Sequence, residues 1–161
     1  MIPDKQALRE QLIEQLAERL SGFDKSAREA HAEATHEQNK AENKYDTRAI
    51  EASYLAEGQA RQAAEVAASI QTLEGMVLRE FGPPTPIAPG ALVELESDGE
   101  AAWYFLAPCA GGAELASEGG PVLVVTPQSP LGGAMVGLKT GGTFRLQFGR
   151  ERVLYKVKSV L

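Results

Sequence analysis

The sequence predicts an α+β protein in two parts: an antiparallel α-helical hairpin over residues 1–82 and a small strand-rich domain over 88–161, joined by a linker at 83–87. Three observations predict it. Apolar residues recur at steps of three and four in the first part and at steps of two in the second. No proline lies between Asp4 and Gly82, whereas Pro83, Pro84, Pro86 and Pro89 follow at once. A charged stretch at 35–46 divides the first part into two arms of similar length.

The first arm opens at Asp4, a residue suited to cap a helix N-terminus. Leu8, Leu12, Leu16, Leu20, Phe23, Ala27 and Ala30 then form the stripe of an amphipathic helix. Ser21-Gly22 falls inside it and is expected to loosen it, since glycine costs about 1 kcal/mol relative to alanine in a helix interior. The second arm begins with Ile50 and Tyr54 and resumes through Ala60, Ala63, Ala67, Ile70, Leu73, Val77 and Phe81, with Glu57-Gly58 as an interruption. Gly82-Pro83-Pro84 is the expected stop. At about 30 residues an arm spans roughly 45 Å. The small residues Ala52, Ala56, Ala60, Ala63, Ala64, Ala67 and Ala68 imply close helix approach, so the hairpin is expected to be an antiparallel coiled coil with its tip near 35–46.

Beyond the linker, the segments 91–95 and 102–106 flank Ser97-Asp98-Gly99-Glu100, a hairpin signal. Strand patterns follow at 122–125, 143–148 and 153–157. A short helix is expected from Leu131 to Val136, giving about five strands and one helix. Trp103, Tyr104 and Phe105 are consecutive, so Trp103 and Phe105 share one face of their strand, and core packing is the simplest use for them.

Composition narrows the function. The 161 residues carry a net charge of −6, with 15 acidic and 10 basic side chains in 1–82 against 7 and 6 in 83–161. A general duplex-DNA binder needs clustered Lys and Arg, which this balance excludes. Cys109 is the single cysteine, so neither an intrachain disulfide nor a four-cysteine zinc site can form. His31 and His36 are five apart, not the four that places two ligands on one helical face. Gly132-Gly133 and Gly141-Gly142 lack the P-loop pattern and read as turns. No run reaches the roughly 18 apolar residues of a membrane span and no signal peptide is visible, which predicts a soluble cytoplasmic protein.

The tip carries the remaining chemistry. Glu37, Glu42 and Asp46 are its carboxylates. Asn39 and Glu42 also have the spacing of a capping box that opens the second helix, and Asp46 suits a first turn. Lys40, Lys44 and Arg48 are spaced by four and line one helical face, where they either meet RNA or the acidic groups of a protein partner or form exposed charge pairs such as Arg48 with Glu51.

The run Ser129-Pro130-Leu131-Gly132-Gly133-Ala134-Met135-Val136-Gly137-Leu138-Lys139-Thr140-Gly141, with the closing Tyr155-Lys156-Val157, resembles the Gre family of bacterial transcription elongation factors (GreA/GreB-like). Glu42-Asn43-Lys44-Tyr45 resembles the family's tip motif Glu-Asn-Ala-Glu-Tyr, one residue shorter. The resemblance runs through the whole chain in order: hairpin, linker, β domain.

The resemblance implies an FKBP-like C-terminal domain that binds RNA polymerase at the mouth of its secondary channel. Ser129, Pro130, Leu131, Gly132 and Gly137 are then the polymerase-binding positions. It implies that the hairpin enters the channel, near the 3′ end of the nascent RNA. There Glu37 and Glu42 would help hold a Mg²⁺ shared with the polymerase, so that the polymerase itself cleaves a backtracked transcript. The chain would then be no enzyme and carry no cofactor of its own, and a monomer is expected. The chain departs from the family where Asn39 replaces the tip aspartate. Non-cleaving or inhibitory Gre homologues and the short-hairpin Rnk proteins also have altered tips, and a coiled-coil interaction protein is the alternative from another class.

Overall fold

The computed structural model describes residues 1–35 and 47–161. Among them are two long helices, α1 (Lys5–Thr35) and α2 (Thr47–Glu74), then strands β1 (Leu92–Ser97), β2 (Glu100–Leu106), β3 (Glu114–Leu115) and β4 (Val122–Val125), a short helix α3 (Pro130–Met135), and strands β5 (Thr143–Phe148) and β6 (Glu151–Val160). The fold class is α+β, as the change of period predicts. The chain divides into two compact units, one of residues 1–13 with 72–161 and one of residues 14–71.

Asp4 caps α1 as expected: its Oδ1 accepts from the Gln6 N–H at 2.9 Å and its carbonyl from the Leu8 N–H at 3.0 Å. Leu8, Leu12 and Leu16, one turn apart, are buried. Helix α1 continues through Gly22, where an added Cβ would meet nothing within 4 Å, and α2 continues through Gly58. One glycine penalty of about 1 kcal/mol is small against the hydrogen-bonded length of either helix.

Two expectations for α2 are corrected. Of its stripe Leu73 is buried, near the C-terminal end, together with Val66, which the stripe omits, while Ile50 and Tyr54 are exposed. The helix also stops at Glu74, before Gly75, rather than at Gly82. In place of the turns that Val77 and Phe81 would continue, there is a non-helical segment fastened by α1. Arg9 Nη1 donates to the Met76 carbonyl at 2.9 Å, and Lys5 Nζ donates to the Arg79 carbonyl while sitting 5.0 Å from the Phe81 ring centre. Burial lowers the Lys5 pKa from its ordinary value, and Glu80 acts against the shift. Phe81 packs on the β-domain core, and Val77 is exposed.

Among the described residues the sheet has six strands rather than five, in the order β3-β4-β2-β1-β6-β5. The addition is β3, whose two residues are too few to show a period. Strands β2 and β4 are parallel, and the other pairs are antiparallel. The chain must therefore cross from β4 at one side to β5 at the far edge, and α3 lies on that crossing.

Side chains alternate across the sheet. The face bearing α3 holds a core of Val93, Leu95, Leu106, Val125 and Val157, closed by Ile87 and Met135. A bulge at Glu94/Leu95 pairs Leu95 with Val157 and Glu94 with Ser159, so Val157 and Val160, three apart, both enter this core. The extra residue, Lys158, reaches Glu96 at 3.0 Å. On the opposite face Leu92, Phe105, Val122 and Val124 are buried in register with one another. Trp103 shares their side and is half-buried. The start of α1 is pinned nearby: the Gln11 amide donates to the Ala116 carbonyl at 3.1 Å and accepts from its N–H at 2.7 Å.

Both faces are thus buried where the start of β1 meets the end of β2, and the cost of cutting into them there should be large. Phe105→Ala is expected to lose about 3–5 kcal/mol in chemical denaturation. Leu123→Ala, one residue along from a buried valine but 37% exposed, should lose no more than about 1 kcal/mol.

Candidate functional site

The Ser129–Gly137 region is built around one carbonyl. At the end of β4, Thr126 O accepts from the Ser129 N–H at 3.0 Å and from Ser129 Oγ at 2.8 Å. Ser129 Oγ in turn accepts from the Gly132 N–H at 3.1 Å, which makes Ser129 the N-cap of α3. Pro130 follows at the first helical position, where a missing N–H costs nothing. A Cβ on Gly132 would stand 1.9 Å from Thr126 O, and one on Gly133 3.0 Å from Pro127 O. These glycines, expected to be turns, are helical; close backbone approach explains them.

The other end of α3 is tied to the segment before β1. Gly137, at φ +83°, donates its N–H to the Ile87 carbonyl at 2.9 Å, and Ile87 donates to the Leu138 carbonyl at 2.8 Å. The helix itself spans Pro130–Met135, one residue earlier than expected, with Val136 as its C-cap.

Beside the N-terminus of α3 the sheet is uncovered, leaving an apolar pocket of about 740 Å³. Ser129, Pro130 and Leu131 form one wall; Tyr104, Leu146, Phe148 and Tyr155 come from the sheet; Gly111 and Gly112 from the loop after β2 complete it. Among the described residues no charged side chain lines it. The Tyr155 ring stacks on Phe144 with centres 5.1 Å apart and planes 13° from parallel. Burial, with Tyr155 adding to it, raises the Tyr104 pKa above the ordinary tyrosine value. A pocket of this size and lining suits a neutral, apolar group with few polar contacts at its rim.

The expected polymerase-binding positions therefore separate by role. Ser129, Pro130 and Leu131 reach the pocket wall. Gly132 is buried beneath them, and Gly137 is exposed at the opposite end of the helix. The tip positions Glu37, Lys40, Glu42 and Lys44 lie outside the described residues, and Arg48 is the second residue of α2. Sequence reasoning misses the pocket aromatics. Their signal is the alternation Phe144, Leu146, Phe148 in β5 and the pairing of Phe144 with Tyr155. Among the described residues no helix is long and apolar enough to cross a membrane.

No family model matches the chain, and no curated protein matches it. Solved structures do. GreA factor homolog 1 (Gfh1) of Thermus thermophilus is 20% identical, covering 92% of this chain and 94% of its own, with a TM-score of 0.37. The Thermus aquaticus Gfh1 structure is 20% identical over 91% of this chain and 92% of its own, with a TM-score of 0.39. A GreA/GreB transcription elongation factor from Nitrosomonas europaea is 19% identical over 64% of this chain and 78% of its own, with a TM-score of 0.37.

The close approach at α3 has a measurable cost. Gly132→Ala is expected to destabilise by about 2 kcal/mol or more, because a backbone carbonyl occupies the space. Gly58→Ala, whose nearest atom is the end of Arg61 at 3.9 Å, should instead stabilise by about 0.5–1 kcal/mol. The raised Tyr104 pKa means that the folded state favours the neutral phenol. Its contribution is fully present below about pH 10 and is lost as pH rises through the higher folded value. Tyr104→Phe should therefore flatten the alkaline fall in stability measured by thermal unfolding.

Proposed function

We propose that this chain is an RNA polymerase secondary-channel factor. The observation that carries the reading is the Ser129-Pro130-Leu131-Gly132 run, which resembles the Gre family and whose first three residues form one wall of the pocket. Its four residues serve in turn as helix cap, first helical position, pocket wall and close-approach glycine. The order of two long helices followed by a sheet domain supports the same reading. In it, the β domain holds the polymerase through the pocket wall at Ser129, Pro130 and Leu131, and the helices carry the 35–46 segment into the channel.

At the polymerase active centre, Glu37 and Glu42 supply hard carboxylate oxygens, the donor type that Mg²⁺ takes. A Mg²⁺ held there by the polymerase would supply the chemistry that activates water against the transcript. The two glutamates add negative charge beside it, Lys40, Lys44 and Arg48 lie close by in sequence to meet RNA or polymerase, and the chain makes no bond to the substrate. The transcript is cut by the polymerase, so the chain acts as a regulator and not as an enzyme. One residue favours a second reading: Asn39 brings no charge where the family carries an aspartate, which suits a factor that occupies the channel without stimulating cleavage.

A cleavage assay on stalled, backtracked elongation complexes separates the readings. The cleaving reading expects stimulation by wild type, with Glu37→Gln and Glu42→Gln each reducing it by about tenfold or more while polymerase binding persists. Wild type that binds and suppresses cleavage selects the second reading. Wild type that fails to bind core polymerase, while light scattering shows its mass rising with concentration, supports a self-associating coiled-coil protein instead.

A further inference from the structure

The β5–β6 hairpin shows two unlike faces. Toward α3 it presents Phe144, Leu146 and Tyr155, which are half-buried in the core and pocket. On the opposite face, the register places Thr143 beside Lys156, Arg145 beside Leu154, and Gln147 beside Arg152. All six of these side chains are exposed, and Leu154 is 48% exposed. Arg145 lies directly across from Leu154, and Arg152 and Lys156 lie two residues to either side of it along β6. Three cations therefore surround one aliphatic side chain in a protein whose net charge is −6.

No carboxylate of the hairpin shares this face. Glu151 pairs with Phe148 on the side of α3. Glu96, the neighbour of Lys156 in β1, is engaged by Lys158 at 3.0 Å. No two of these cations stand directly opposite one another, and each faces an uncharged residue within the hairpin, so the face gathers exposed positive charge without a carboxylate of its own hairpin. Such a face is complementary to an acidic surface.

We propose that this face of the β5–β6 hairpin docks an acidic segment of the polymerase, with Arg145, Arg152 and Lys156 reading its carboxylates and Leu154 receiving an aliphatic side chain. The inference rests on the polymerase reading above and names a second contact for it. The two contacts are continuous: Leu146 and Phe148 line the pocket, while Arg145 and Gln147 alternate with them on the same edge strand. A partner that fills the pocket therefore has the edge and its cationic face within reach. Leu154 decides between partner classes. A nucleic acid would use the cations and would want an aromatic ring to stack on, and this face of the hairpin has none. An apolar centre ringed by charges matches a protein contact with a polar rim.

The test is a salt series of fluorescence titrations of the full chain against purified core RNA polymerase. Arg145→Glu with Arg152→Glu is expected to weaken binding by about tenfold or more at low salt and to flatten the salt dependence. Leu154→Ser is expected to weaken it by about fivefold with the salt dependence unchanged. All three positions are exposed, so circular dichroism should report an unaltered fold, and Arg145→Gln with Arg152→Gln checks that loss of charge suffices. Lys139→Glu, half that charge change elsewhere on the domain, should move affinity by less than about twofold. Unchanged affinity and salt slope in the double variant overturns the inference and leaves the polymerase reading standing. Weakening by Lys139→Glu of about threefold or more, half the double variant's effect in free energy, overturns it in favour of net charge alone. Loss of affinity for a single-stranded RNA oligonucleotide, with polymerase binding intact, overturns it in favour of a nucleic-acid face. Wild type that does not bind polymerase removes the reading and the inference together.

Discussion

The carbonyl of Thr126 is the point from which the candidate site is organised. It takes both hydrogen bonds that Ser129 can donate, and it lies where a side chain at residue 132 would begin. Those two conditions bring the helix back against the end of β4, so that Leu131 and Met135 fall over the core. The far end of the helix is then fixed by the reciprocal bonds between Ile87 and the Gly137-Leu138 pair. A single short crossing of six helical residues is held at both ends by backbone, which is what lets it serve as a rigid pocket wall.

The sheet divides its work along its width. Where the start of β1 meets the end of β2 both faces are buried, and Leu92, Val93, Leu95, Phe105 and Leu106 serve packing. Toward the β5 edge the cover runs out on both sides, leaving the aromatic pocket on one face and the cationic cluster on the other. Side-chain alternation makes that division possible: a strand can give every second residue to a pocket and the rest to a different surface. The edge hairpin thus carries two chemistries within the six residues of β5.

Much of this is legible in the sequence because it depends on local rules. The change of period at the prolines locates the transition between helices and sheet. Asp4 announces the start of α1, and Asp98-Gly99, both at positive φ, announce the β1–β2 turn. What escapes depends on contacts between distant residues. The end of α2 is set where Lys5 and Arg9 capture the carbonyls of Arg79 and Met76, 74 and 67 positions away. Strand β3 is defined by its pairing with β4 and has no period of its own. The glycine pair at 132–133 looks like a turn because composition cannot distinguish a need for positive φ from a need for empty space. The pocket requires knowing that Tyr104, Phe148 and Tyr155, drawn from three strands, meet on one face.

In the proposed reading, the pocket wall at Ser129–Leu131 is a preformed docking surface for RNA polymerase. Hydrogen–deuterium exchange of the full chain, alone and saturated with core polymerase, tests this most directly. The expected result is slowed exchange in the complex at residues 128–133 and 146–148, with β1 and β2 already protected and unchanged. Slowed exchange confined to α1 and α2, with 128–133 and 146–148 exchanging as in the free chain, would contradict it.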